Sequence, residues 1–101
     1  LAAPLLAAAH AGCYSMAFSG ALAKAGHDAE QLDVDATFTF GPVEGGFAIH
    51  GIALTVEGVV PGIDEATFLE LAEGAKVGCP VSKAFAGNLP ITLEARLLQH
   101  A

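Results

Sequence analysis

Residues 5 to 25 are rich in alanine and leucine and interrupted only by small or weakly polar side chains, which predicts a long helix. Pro4 suits its start, and Gly26 suits the left-handed residue just past its end. Residues 33–40 alternate polar and apolar, with Val34, Ala36, Phe38 and Phe40 on one face, as a half-buried strand does. Gly41, Pro42, Gly45 and Gly46 mark a turn. Residues 47–59 predict a second strand, pairing with the first as a long hairpin, with Phe47 and Ile49 facing away from Ala48 and His50. Gly51 marks an expected bulge. Pro61 and Gly62 break the pattern, and Asp64 then caps a helix with Thr67 three positions on. Phe68, Leu69, Leu71 and Ala72 form that helix's apolar face, and Gly78 ends it. Cys79 precedes a second short helix with Pro80 at its first position, which closes at Gly87 and Asn88. A final strand spans 91–97. The order helix, two strands, helix, short helix, strand is α+β, and residues 1–101 make one domain.

Hydrophobic residues make up 53% of the chain, more than a small monomer's large surface readily covers. A second copy of the chain would cover the excess. Net charge is −7, with only Lys24, Lys76, Lys83 and Arg96 as cations. Nucleic-acid binding needs clustered cations to replace phosphate counterions, so that class is excluded. Anionic membrane surfaces are disfavoured for the same reason. No formal charge precedes Lys24, a length that would suit a membrane span. His10, Tyr14, Ser15, Ser19, Gly12 and Gly20 make the stretch only weakly apolar, so a helix buried on most sides is expected instead. Ala8, Gly12 and Gly20 would allow another backbone to approach closely. The chain opens on Leu1 close to or inside this helix, and an N-terminal region is expected to be missing from it.

Cys13 and Cys79 are the only thiols. Paired thiols in a reducing cytoplasm are more often catalytic, redox-active or metal-binding than structural, while a secreted disulfide remains open. Cys13 sits within the first helix, where a cysteine is either apolar filler or a reactive thiol. His10, three residues back, is able to reach it across the helix face and lower its pKa, or is simply a packed histidine. Cys79 sits where a helix begins, so free amides and the helix dipole favour its thiolate; the alternative is a hydrophobic cap beneath Pro80. Zinc would need ligands gathered from His10, Cys13, Cys79 and a distant His27, His50 or His100, and no metal or other cofactor is expected.

The stretch 5–19 around Cys13, the loop Val60, Pro61, Gly62, Ile63, Asp64, and the run Gly78, Cys79, Pro80, Val81, Ser82 together resemble the OsmC/Ohr family of bacterial thiol peroxidases, on its OsmC branch. The likeness covers essentially the whole chain. It implies a long central helix packed on an antiparallel sheet, with N-terminal strands missing here, and an intertwined cytoplasmic homodimer. It also implies reduction of organic hydroperoxides, and of hydrogen peroxide, in oxidative and osmotic stress defence. By position Cys13 would be the peroxidatic thiolate and Cys79 the resolving thiol, with a dithiol such as a lipoyl group as reductant. Phe18, Phe68 and Phe85 would line an apolar substrate site or, more simply, the core.

Members of that family carry a glutamate upstream of the first cysteine and an arginine in N-terminal strands that stabilises the thiolate. The glutamate position corresponds to Ala3 here, the arginine region is absent, and Arg96 on the last strand is no substitute. Without that pair, desolvation is expected to raise the Cys13 pKa. Competing readings are a redox sensor or apolar-ligand module of the same fold, and a structural dimer with inert cysteines.

Overall fold

The computed structural model describes residues 2–98, excepting the side chains of residues 2–4 and of Phe47. The expectations for Ala3, for the facing of Phe47 and for His100 therefore lie outside the described residues. Six elements follow in the order α1 (Ala2–Lys24), β1 (Gln31–Val43), β2 (Gly46–Val59), α2 (Glu65–Gly78), α3 (Pro80–Phe85) and β3 (Ile91–Leu97). Helix α1 ends as its sequence directs. Gly26 takes φ +88°, and the amides of Gly26 and His27 bond back to the carbonyls of Ala23 and Leu22 at 3.0 and 2.8 Å. That is a Schellman stop, which needs the left-handed residue that glycine supplies.

β1 and β2 pair antiparallel around the two-residue turn Glu44–Gly45. The register slips between Thr39 and Phe40, leaving His50 as the extra residue beside Gly51, so the bulge falls where the glycine marked it. Beyond the bulge the hairpin outruns the helices. Phe40, expected on the inner face, is 46% exposed there, and Leu32 joins Val34 and Ala36 against the core instead.

The sheet has three strands in the order β1-β2-β3, and β3 runs parallel to β2. The expected all-antiparallel sheet is thus corrected to a mixed one. A tight turn returns a strand antiparallel, but here α2 and α3 intervene and carry the chain back to the end where β2 began.

All three helices contact the sheet layer or one another, and the core lies between them. Tyr14, Phe18 and Leu22 from α1 meet Leu54 and Val56 from the central strand, Val60 just past its end, and Phe68, Ala72 and Ala75 from α2. Asp64 caps α2 by accepting the Thr67 amide at 3.1 Å and the Thr67 hydroxyl at 2.7 Å. These bonds hold its carboxyl below the usual range, the hydroxyl contributing most.

The opposite sheet face is polar. Asp33, Asp35, Thr55, Glu57, Glu94 and Arg96 line it, with Arg96 donating to Glu57 at 3.1 Å. By length and composition Leu5–Lys24 could cross a membrane, yet its stripe of His10, Tyr14, Phe18 and Leu22 sits in the protein interior. Burial is confined to that stripe and its flanks, against the expectation of a helix covered on most sides. Leu5 and Met16 are 73% and 78% exposed, and nothing lies within 4 Å of a Cβ placed on Gly12 or Gly20.

Gly58 of β2 lies closely against Leu32 of β1 and Phe68 of α2. A Cβ there would meet Leu32 Cδ2 and Phe68 Cε1, both at 2.9 Å. Gly58→Ala is expected to destabilise the chain by about 1–3 kcal/mol, read as a lower melting temperature, whereas Gly12→Ala should not destabilise it. Equal melting of Gly58→Ala and the parent would contradict this packing.

Candidate functional site

A helix places residues three and four apart on one face, so His10, Cys13 and Tyr14 of α1 share a front toward α2 and α3. Two polar bonds fix that front. The Tyr14 hydroxyl donates to the Ala72 carbonyl at 2.8 Å, and His10 Nε2 lies 2.7 Å from Ser82 Oγ, both bonds buried. Across from them the chain turns from α2 into α3 at a single residue. Cys79 ends α2 with its amide on the Ala75 carbonyl at 2.8 Å, and it starts α3 with its carbonyl on the Lys83 amide at 2.9 Å. Pro80 has no N–H to offer, so the first free amides of α3 belong to Val81 and Ser82.

This corner brings Cys13 and Cys79 together, two thiols far apart in the sequence. Each alters the other's acidity. For Cys13 the Val81 amide favours the thiolate, but desolvation, the hydrogen-bond interaction with Cys79 and the Cys79 charge outweigh it, and its pKa rises. For Cys79 burial is the largest influence and opposes the thiolate. The Ser82 amide, the Cys13 thiol, the Ser82 hydroxyl and the Val81 amide together overcome it, and its pKa falls, although no side-chain cap hydrogen bond is completed. The two thiols therefore titrate as a pair, the thiolate disfavoured at Cys13 and favoured at Cys79. Accessibility runs the other way: Cys13 is partly exposed, and Cys79 is 0% exposed.

His10 does not act on Cys13 as its spacing allowed. It is fully buried, bonded to Ser82, and edge-on to Phe38 with ring centroids 5.8 Å apart. Burial lowers its pKa and keeps it neutral. Tyr14 is held well above the usual phenol range, chiefly by desolvation and then by the charges of Glu73 and Cys79. Phe18 and Phe68 are core residues, while Phe85 stacks edge-on against Phe38 near the His10–Ser82 bond. Sequence reasoning gave no role to Ser82, Tyr14 or Phe38. Ser82 stood within the Cys79 motif, and its spacing of three from a helix-initiating residue was the signal that could have found it.

Arg96 stands on the sheet face away from the helices, bonded to Glu57, and no cation contributes to the shift at Cys13. Among the described residues no three His, Cys, Asp or Glu side chains gather as a metal site, His10, Cys13 and Cys79 included.

The model of the OsmC-like protein family matches residues 3–94. Peroxiredoxin OsmC of Escherichia coli strain K12 is 45% identical over 93 residues, covering 92% of this chain and 64% of that protein. The organic hydroperoxide resistance protein of Xanthomonas axonopodis pv. citri strain 306 is 36% identical over 94 residues, covering 88% of this chain and 61% of that protein. The chain thus spans less than two thirds of the length of these relatives. Among solved structures, the organic hydroperoxide resistance protein OhrB of Bacillus subtilis superposes with a TM-score of 0.78 at 29% identity, covering 91% of this chain and 67% of that one.

The two thiols should separate by access. In the native chain a small alkylating reagent is expected to label Cys13, with Cys79 labelled only on unfolding, as peptide mapping would show. Faster native labelling of Cys79 would contradict its burial.

Proposed function

The chain belongs to the OsmC-like protein family, and on that footing we propose that it is the two-cysteine part of a thiol peroxidase that reduces organic hydroperoxides in oxidative stress defence. The observation that carries the proposal is the pairing of a reachable thiol, Cys13, with a buried, more acidic one, Cys79, at one helix corner. A hydroperoxide can meet Cys13 but not Cys79, so Cys13 takes the peroxidatic role and Cys79 the resolving role.

The chemistry balances as follows. The singly ionised pair carries one proton over two sulfurs, and the reactive form is the less populated one with the proton on Cys79 and the thiolate on Cys13. Cys13 Sγ attacks the terminal peroxide oxygen, the O–O bond breaks, and the alkoxide leaves as an alcohol by taking the proton from Cys79, which becomes the thiolate. Cys13 is now a sulfenic acid. Cys79, again as thiolate, attacks the Cys13 sulfur; the S–S bond forms, the S–O bond breaks, and hydroxide leaves as water on protonation. A dithiol reductant, which we take to be a lipoyl group, then attacks the disulfide and restores both thiols by exchange.

Hydrogen peroxide is the smaller substrate of the same chemistry. A homodimer is part of the proposal, supported by the open face of α1 with Leu5 and Met16 and by the unpaired outer edges of β1 and β3 among the described residues. A cytoplasmic location is proposed because the cycle needs a reducing thiol pool.

The test is dithiol-dependent turnover of cumene hydroperoxide. Wild type should turn over, Cys13→Ser should lose turnover, and Cys79→Ser should accumulate the Cys13 sulfenic acid without cycling. Turnover by Cys13→Ser equal to wild type would sink the assignment, and Cys13 oxidation without any cycling in the wild type would favour a redox sensor. Because its pKa is raised, Cys13 holds little thiolate near neutrality, and its oxidation rate in this chain should climb about tenfold per pH unit there. A rate that is flat from neutral to mildly alkaline pH would contradict the raised Cys13 pKa.

A further inference from the structure

Helix α3 is six residues long, too short to hold its shape without support from the rest of the chain. Its one buried side chain is polar: Ser82, 3% exposed. Val81 and Phe85 are only partly buried, and apolar contacts of that kind tolerate sliding. Ser82 Oγ lies 2.7 Å from Nε2 of His10 on α1, a side chain that is itself fully buried and that the proposed cycle does not use. The other ring nitrogen, Nδ1, is buried with no hydrogen-bond partner among the described residues. A neutral imidazole carries one proton, and an orphaned buried N–H is rarer than an under-used acceptor, so the proton belongs on Nε2 and is donated to Ser82 Oγ. An apolar side chain would fill the same space without leaving a nitrogen bare. What the imidazole adds is the bond that ties α3 to α1.

The tie bears on the thiols through the backbone. Cys79 is the joint between α2 and α3, with its amide on the Ala75 carbonyl at 2.8 Å and its carbonyl on the Lys83 amide at 2.9 Å. Its place therefore follows that of α3. On α1, Tyr14 bonds to Ala72 of α2 and His10 bonds to Ser82 of α3. Cys13 lies between His10 and Tyr14 and shares their face, so it fronts the stretch between Ala72 and Ser82. It packs there against the core cluster that contains Cys79. We propose that His10 is a positioning residue for disulfide closure: its bond to Ser82 clasps α3 to α1 and holds Cys79, at the head of α3, opposite Cys13. Without the clasp α3 samples other placements, and closing the disulfide must first restore the right one. The inference rests on the resolving role proposed for Cys79, and its test separates the two.

The test is the equilibrium of the chain with oxidised glutathione, in which Cys13 and Cys79 form their disulfide and two reduced glutathiones are released. Samples quenched in acid and peptide-mapped across a series of glutathione ratios give the effective concentration of one thiol for the other. Ser82→Ala and His10→Phe should each lower it about tenfold, the factor that one buried hydrogen bond supplies. The double variant should fall no further than Ser82→Ala, since both cut one bond. His10→Gln keeps an N–H donor of similar reach and should stay near the parent. Gly58→Ala, which crowds Leu32 and Phe68 and leaves the clasp untouched, should melt lower yet also keep the parent value. An unchanged value in Ser82→Ala or His10→Phe overturns the proposal. So does a fall in His10→Gln or Gly58→Ala as large as that in Ser82→Ala, or a double variant that loses the product of the two single effects. If His10→Phe does not fold, Ser82→Ala, His10→Gln and Gly58→Ala still decide. A parent chain that forms no Cys13–Cys79 disulfide overturns the resolving role and the clasp together, whereas variants that match a disulfide-forming parent overturn the clasp alone.

Discussion

Helix α1 is held at one rotation and one height by two buried polar bonds a turn apart, Tyr14 to the Ala72 carbonyl and His10 to Ser82. The alanine-rich sequence around them gives little directional packing of its own. Apolar contacts from Phe18 and Leu22 bury the helix but tolerate sliding, whereas a buried hydroxyl or imidazole without its partner costs free energy at once. Those bonds therefore set the register of α1 against α2 and α3. Cys13 lies between His10 and Tyr14 on the same face, so the register that satisfies them also carries its sulfur to Cys79.

The corner at Cys79 is the other half of the arrangement. Pro80 both starts α3 and withholds an amide, which leaves the Val81 and Ser82 N–H groups for the sulfurs. One turn of backbone thus supplies donors to both thiols, the Val81 amide to each and the Ser82 amide to Cys79. The partition of charge follows from the remaining neighbours. Cys79 gains the Cys13 thiol and the Ser82 hydroxyl, whereas Cys13 meets desolvation, its hydrogen-bond interaction with Cys79 and the Cys79 charge. Reachability lies with Cys13 and the lowered pKa with Cys79.

Much of this was legible in the sequence because local rules governed it. Gly26, Asp64 and Pro80 mark element boundaries through φ preference, a side-chain acceptor and a missing donor, and each acts there as expected. The bulge beside Gly51 and the strand at Ile91–Leu97 were legible for similar reasons. What periodicity did not carry was long-range geometry. The parallel pairing of β3 depends on where the α2–α3 excursion returns the chain. Phe40 has the right spacing for the core but lies beyond the reach of the helices. His10 was read against its neighbour Cys13, whereas its partner is 72 positions away. The two cysteine neighbourhoods were individually visible, and the bond that organises one of them was not.

Whether Cys13 and Cys79 act as one redox pair is decided by treating the reduced chain with a single equivalent of cumene hydroperoxide, followed by peptide mapping without reductant. A Cys13-containing peptide disulfide-linked within the chain to a Cys79-containing peptide, and reverting on addition of a dithiol, is the predicted result. Both cysteines recovered as unmodified thiols, or Cys13 over-oxidised with Cys79 still free, would contradict it.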